Sequence, residues 1–125
     1  MTVGLAAATA NSYLNVFRGT AFTGVSVFVK LHTGDPGAAG TTNPSAVTTR
    51  NALTLNAPSA GSATLSTLAS YSMTASETIT HVSLWDSATV GNFLQSAALT
   101  SGVPVINGST LSFTTFTIAF TPIAA

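Results

Sequence analysis

Short stretches of alternating apolar and polar residues, separated by turn residues, most constrain the fold of this chain. They lie at residues 25–31, 47–56, 63–74, 77–85, 92–99, 103–106 and 111–120. Alternation with a period of two is typical of a half-buried strand, and the Gly, Pro, Asn and Asp residues between such stretches favour turns. About seven short strands connected in this way predict a mainly β fold: a single antiparallel β-sandwich or small β-barrel.

One N-terminal α-helix is predicted ahead of the strands, at residues 5–18. Its apolar residues recur with helical spacing and form one stripe, made of Ala10, Tyr13, Leu14 and Phe17. Gly19 follows as a helix stop. We expect the stripe to pack on the sheet of its own domain, and packing on a neighbouring subunit is the alternative.

The predicted organisation is an N-terminal helical segment, residues 1–20, followed by one β domain, residues 21–125. A long loop at 33–46, rich in Gly, Pro, Asn and Thr, interrupts the β domain. Loops of this length are usually functional or flexible. The first residues have no basic region typical of a secretory signal, and no apolar run approaches the roughly 20 residues of a membrane span.

Three local patterns refine the predicted strands. The strand at 77–85 carries apolar residues on both faces, which predicts a central position with a layer on each side. Asn107 and Gly108 form the strongest hairpin-turn signal in the chain. Thr114 and Thr115 interrupt the alternation of the last strand, and we expect a β-bulge there.

The composition limits the partners of this chain. Charged residues make up 5% of it, three basic and three acidic, with a net charge of zero. Phosphate binding requires clustered Lys and Arg, so nucleic acid is excluded as a partner. Without cysteine, a disulfide framework and a thiolate metal site are excluded too. A neutral surface of hydroxyls and alanines favours association, which indicates a component of an assembly.

Catalytic machinery is sparse in the sequence. Paired-carboxylate chemistry needs two facing acids, whereas Asp35, Glu77 and Asp86 each lie near a loop or a strand end. No Gly-x-Ser-x-Gly pattern marks a nucleophile, and no tight ligand spacing indicates a metal site. We therefore predict a protein that is not an enzyme, with no catalytic, metal-binding or cofactor-binding residue and no cofactor.

His32, His81 and Trp85 each allow a functional and a structural interpretation. His32 stands three residues before Asp35, either as a polar pair in a binding loop or as a hydrogen-bonding brace of the turn. His81 is a site residue or a cross-strand partner on a half-covered face. Trp85 with Asp86 is a sugar-stacking platform or a core anchor beside a turn aspartate. We favour the structural interpretation of each.

Three stretches carry a resemblance, and they occur in this order along the chain. The first consists of residues 13–19 together with LHTGDPGAAGT at 31–41. The second is THVSLWD at 80–86 followed by residues 91–94, and the third is the ending FTPIAA at 120–125. In these the chain resembles a family of small structural proteins of tailed-phage virions. Such proteins are described as head decoration, minor capsid, minor tail or tail-fibre-like proteins. The resemblance implies a non-enzymatic virion component, a β-sandwich and a symmetric oligomer.

The resemblance and the composition together favour a capsid decoration protein, which binds the outside of the major capsid shell and stabilises it. Its expected partners are the major capsid protein and further copies of itself, as a trimer, with no nucleic acid or membrane. The alternative is a minor tail or tail-fibre protein that contacts the host surface, where a glycan would be a partner. Both are made in the host cytoplasm and reside in the virion. A stand-alone carbohydrate-binding module is a third hypothesis, and it predicts a secretion signal.

Two groups of residues are assigned roles on this basis. Inter-subunit contacts are expected from the helix and the long loop, at Tyr13, Leu14, Phe17, Gly34, Asp35, Pro36 and Gly37. Core and turn roles are expected for Trp85, Asp86, Asn107 and Gly108.

Overall fold

The computed structural model describes residues 3–120. The helix α1, Ala7–Asn15, continues into a short 3₁₀ turn, Val16–Arg18. Eight strands follow: β1 Val27–His32, β2 Asn51–Leu55, β3 Ser62–Leu68, β4 Tyr71–Ser72, β5 Glu77–Trp85, β6 Phe93–Val105, β7 Thr110–Leu111 and β8 Thr117–Ala119. The outer ends of both predicted domains, and the FTPIAA ending after Phe120, lie outside the described residues.

Six strands form one antiparallel sheet in the order β6-β5-β1-β2-β3-β8, and β4 pairs with β7 in a second, small sheet. The core combines residues of the large sheet, such as Val29 and Leu31, with Tyr71 and Leu111 of the small one. These four side chains are buried. The prediction of a mainly β, antiparallel sandwich with one N-terminal helix is confirmed.

Strand β5 is central, as its two apolar faces predict. It pairs with β1 on one side and β6 on the other. Because successive side chains of a strand point to opposite faces, Val82 and Leu84 lie on one face, and Ser83 and Trp85 on the other. All four are buried, the first pair in the hydrophobic core. The opposite face is covered by loop 33–46, which contacts His32 and Phe93 there.

Two predicted strands merge into one. The stretches at 92–99 and 103–106 are both part of β6, because its pairing with β5 resumes after an irregularity. Ala98 pairs with His81 and Val103 with Ile79, so residues 99–102 lie opposite a single residue of β5. The predicted strands stop at residue 99 and resume at 103, whereas in the structure the residues between them form an extended bulge within β6.

Two other predicted strands divide between the sheets. The stretch at 63–74 becomes β3 of the large sheet and β4 of the small one, and the stretch at 111–120 starts in β7 and ends in β8. The phase change at Thr114 and Thr115 is therefore the point at which the chain changes sheet, and the predicted bulge is wrong. Alternation of apolar and polar residues indicates which side of a strand is buried. When the chain passes from one sheet to the other, the opposite side becomes buried and the alternation changes phase.

The turn at Asn107 and Gly108 is present, with Gly108 at φ 88°. It does not join two paired strands, because β6 pairs with β5 and β7 pairs with β4. Backbone bonds from Gly108 to Met73 and from Met73 to Ser109 hold it against the small sheet instead. The turn signal specifies a chain reversal, whereas distant apolar partners decide which strands pair.

The N-terminal helix begins two residues later than predicted, because Leu5 forms an isolated antiparallel bridge with Gln95 of β6. Gly19 ends the helical segment in the left-handed conformation, at φ 77°, as predicted. Within residues 3–120, no helix is long and apolar enough to cross a membrane.

Candidate functional site

Loop 33–46 is attached to the sheet through a buried chain of hydrogen bonds. His32, fully buried at the end of β1, places Nδ1 2.8 Å from the carbonyl oxygen of Thr42. Its Nε2 lies 2.7 Å from Ser83 Oγ, and Trp85 Nε1 donates to that same oxygen at 2.8 Å. Sequence reasoning favoured a bracing role for His32, and the geometry provides this brace through Thr42.

The partners of His32 determine its protonation. A carbonyl oxygen only accepts, so Nδ1 carries the proton, and Nε2 accepts from the Ser83 hydroxyl. Burial lowers the pKa of His32, and the positive charge of Lys30 and the neighbouring His81 act in the same direction. Hydrogen bonds to backbone carbonyls of Thr42 and Asn43 oppose this shift without reversing it. His32 is therefore neutral near pH 7.

The Ser83–His32 pair has the composition of a nucleophile and its base, but it is closed to a substrate. Both residues are fully buried. The Ser83 oxygen already accepts a hydrogen bond from Trp85, and the other nitrogen of His32 is bonded to a carbonyl instead of a carboxylate. Among residues 3–120, no cluster of three His, Cys, Asp or Glu side chains is placed to hold a metal ion. The arrangement fastens a loop.

The predicted contact residues of loop 33–46 bond within the chain. Asp35 Oδ1 accepts from Gly37 N at 2.9 Å, and Asn43 Nδ2 donates to the Asp35 carbonyl at 3.0 Å. Pro36 is fully buried, and its carbonyl accepts from Thr42 N at 2.9 Å. Gly34 packs against the Asn43 side chain. These residues shape the loop, and their inter-subunit role stays a prediction.

Gly40 and Glu77, to which sequence reasoning assigned no role in the loop, complete its attachment. Gly40 is buried at φ 71°, and a Cβ there would lie 2.5 Å from Cδ1 of Phe93. At the end of the loop, the carboxylate of Glu77 accepts hydrogen bonds from the Ser45 hydroxyl and the Ala46 N–H. Gly40 belongs to the GAAG stretch of the loop, but its sequence does not indicate an aromatic partner.

Trp85 and Asp86 lie at the corner between β5 and β6, with separate roles. Trp85 is 6% exposed, and the Arg50 guanidinium lies over its ring, 3.8 Å from the centroid. The same guanidinium donates to the Ser87 carbonyl at 3.2 Å. Covered in this way, the Trp85 ring offers no stacking surface to a sugar.

Asp86 closes the turn that follows. Its two carboxylate oxygens accept from the backbone and side-chain nitrogens of Asn92, at 2.6 and 2.8 Å. These bonds hold the pKa of Asp86 below its usual range, and the nearby Arg50 contributes in the same direction. Arg50 thus joins the aromatic corner to the turn, a role that its isolated position in the sequence does not indicate.

The predicted apolar stripe of the helix is divided. Tyr13 is half-buried, with its ring 5.1 Å from Phe22 and 5.9 Å from Phe120, measured between centroids. Leu14 and Phe17 are 62% and 89% exposed. The one buried residue of α1 is Thr9. The helix therefore packs on its own domain through a face that includes Tyr13 and the partly buried Ala10, whereas Leu14 and Phe17 stay exposed.

A groove of about 370 Å³ lies between the helical segment and the β5–β6 side of the large sheet. Its apolar lining includes Tyr13, Phe22, Val25, Leu84, Phe93 and Ile118. Sequence reasoning did not single out Phe22, which lies in the irregular stretch between helix and β1. It placed Val25 in the first strand, whereas β1 begins at Val27. An apolar groove beside exposed apolar side chains is typical of a surface that binds a partner.

A family model described as "Podophage GP4 fiber I protein gp80" matches residues 4–121. The match covers the helix, every strand and loop 33–46. No curated protein matches the chain.

Proposed function

Because this chain belongs to the podophage GP4 fiber I protein gp80 family, we propose that it is a non-enzymatic structural component of a phage tail fibre. The observation that carries the proposal is the extent of the match, since residues 4–121 include nearly all of the described fold. This family favours the tail-fibre alternative of the sequence analysis over capsid decoration.

The geometry supports a structural role within the fibre. The side chains that resemble catalytic groups form hydrogen bonds within the chain. Ser83 and His32 attach loop 33–46 to the sheet, and Asp86 closes a turn. Ser83 and His32 are buried and already bonded, so they leave little for a substrate to contact, whereas Asp86 is partly exposed. The proposed contribution of the protein is therefore a rigid β domain that presents an apolar helical surface.

Contact with a host glycan, if the fibre makes one, does not involve Trp85 in this proposal. Arg50 covers its ring, and Phe93 lies 5.6 Å away, measured between centroids. A sugar would have to displace the guanidinium before it could stack. We assign Trp85 to the fold and place outward contacts on the exposed apolar residues of the N-terminal segment.

The position in the virion is tested by imaging and counting. Purified virions of the encoding phage are labelled with gold-conjugated antibodies against this chain, and its copy number relative to the major capsid protein is measured by quantitative mass spectrometry. We expect label at the tail and a copy number that is a small fraction of the capsid subunits. Label over the head with a near-stoichiometric copy number, or absence from the virion, would overturn the proposal.

A further inference from the structure

The N-terminal segment carries an apolar projection that its own domain does not cover. Phe17, in the 3₁₀ turn after α1, is 89% exposed, and Leu14 and Val16 beside it are exposed as well. Burying an aromatic ring of this size is favourable by itself, so leaving it in water costs free energy unless a partner covers it. The segment is therefore incomplete in the isolated chain.

The groove on the other side of the same segment is a complementary surface. Its lining is mainly apolar and aromatic, and Phe17 is not part of it. Both edges of the large sheet are less suited to association. Edge strand β6 is interrupted by its bulge and contains Pro104, and edge strand β8 has only three residues.

The charges of the two surfaces are also complementary. Arg18 follows Phe17 directly, and its described side-chain bond is to Asn15 Oδ1 at 3.1 Å. Asp86 is the one charged residue among the described lining of the groove. Arg50 offsets part of its negative charge. A Phe17 side chain that enters the groove brings a positive charge towards this carboxylate, and the net charge of zero removes long-range repulsion between copies.

We infer that the occupant of the groove is Phe17 of a second copy of this chain, with Arg18 of that copy facing Asp86. The contact uses two different surfaces, so it is heterologous, and each copy offers one projection and one groove. Such contacts close into a ring when the rotation between copies permits it. This inference goes beyond the proposed function, because it concerns self-association whether or not the chain resides in a fibre.

The first experiment measures the mass of the full-length protein by size-exclusion chromatography with light scattering, over a range of concentrations. The wild-type protein is expected to form an oligomer. Phe17→Ser removes the projection and should raise the dissociation constant roughly ten- to hundredfold. Ile106→Ser, which removes another exposed apolar side chain outside the groove, is the matched control and should leave the constant unchanged.

A second variant fills the groove from an exposed position. Ala8 is an exposed residue of α1 that lines the groove, and Ala8→Trp should block it without disturbing the core. At a concentration at which the wild-type protein is an oligomer, each variant alone should be monomeric. Mixed together, the Ala8→Trp protein still offers Phe17 and the Phe17→Ser protein still offers a groove, so the mixture should form a one-to-one heterodimer and nothing larger.

The charge contact is tested with Arg18→Glu, which should weaken association by about fivefold and reverse its dependence on salt, because salt then screens a repulsion instead of an attraction. Circular dichroism of each variant confirms that it is folded.

A monomeric wild-type protein would overturn the inference and leave the groove to a different virion protein. It would also be overturned if Phe17→Ser associated like the wild type, if Ile106→Ser dissociated equally, or if the mixture stayed monomeric. None of these results bears on the position in the virion, which the labelling experiment decides separately.

Discussion

Two segments flank strand β1: the N-terminal segment before it and loop 33–46 after it. The segment with the more regular secondary structure is the less firmly attached to the domain. The N-terminal segment, residues 3–25, contains the α-helix, yet Thr9 is the one buried residue of that helix. Loop 33–46 has no regular secondary structure, yet its Pro36, Gly40 and Ser45 are buried. The comparison teaches that attachment depends on bonds to distant residues and not on local regularity. The loop has several such bonds, and the helical segment has few.

The few bonds of the N-terminal segment lie at its start. Ala6 N donates to the Leu94 carbonyl and Ser96 N to the Gly4 carbonyl, both at 2.8 Å. Beyond them, the aromatic contacts of Tyr13 hold the helix. A segment held at one end and through one side chain leaves its other apolar side chains free for a partner, as the inferred self-association requires.

The largest expected effect comes from removing the aromatic anchor beneath the loop. Trp85→Ala should lower the free energy of unfolding by about 3–5 kcal/mol in a urea titration, because it empties a buried site and leaves Ser83 and Arg50 without a partner. Trp85→Phe, which keeps a ring under Arg50, should cost only about 1–2 kcal/mol. A loss of less than about 1 kcal/mol in Trp85→Ala would contradict the anchoring role.

A matched pair of glycine substitutions compares the two segments directly. Gly40 and Gly19 have similar backbone conformations, at φ 71° and 77°, but a Cβ on Gly40 meets the Phe93 ring and a Cβ on Gly19 meets nothing within 4 Å. Gly19→Ala should cost about 1 kcal/mol of stability, from backbone strain alone. Gly40→Ala should cost about 2–4 kcal/mol, because the clash is added. Equal costs would mean that the loop is not packed against Phe93.

Acidification should loosen the loop and spare the helix. Since the folded-state pKa of His32 lies below its ordinary value of 6.5, the unfolded state binds the extra proton more readily. Its contribution to stability is therefore complete above pH 6.5 and is lost as the pH falls through the lowered pKa. Hydrogen exchange should show faster exchange at Thr42 and Ser45 in this range, relative to the helix amides. His32→Gln should remove the difference, and its persistence in that variant would assign it to another group.

The smallest effect on the free energy of unfolding is expected from substitution of the exposed Phe17. Phe17→Ala should change the free energy of unfolding by no more than about 0.5 kcal/mol, since the ring contacts little of its own domain. The measurement must be made at a dilution at which the protein is monomeric, because self-association would add its own stabilisation. A loss comparable to that of Trp85→Ala would show that Phe17 packs on its own domain and would remove the contrast.

Sequence reasoning located the strands well and their partners less well. The bounds of β5 were predicted to the residue, and a helix ending at Gly19 was predicted too. The candidate site was predicted in part: His32 was recognised as a possible brace, but Ser83, Arg50 and Gly40 were not assigned to it. Ser83 lies 51 residues from His32 along the chain, so no local pattern relates them.

By itself, the sequence determined the fold class, the positions of most strands and the neutral, charge-poor surface, because alternation, turn residues and composition are local or additive properties. Only the tertiary structure decided that β6 continues through its bulge and that the stretches at 63–74 and 111–120 each divide between the two sheets. It also decided that Tyr13 packs on Phe22 and Phe120, whereas Phe17 stays exposed. These features depend on contacts between residues far apart along the chain. A single sequence contains no direct record of such contacts.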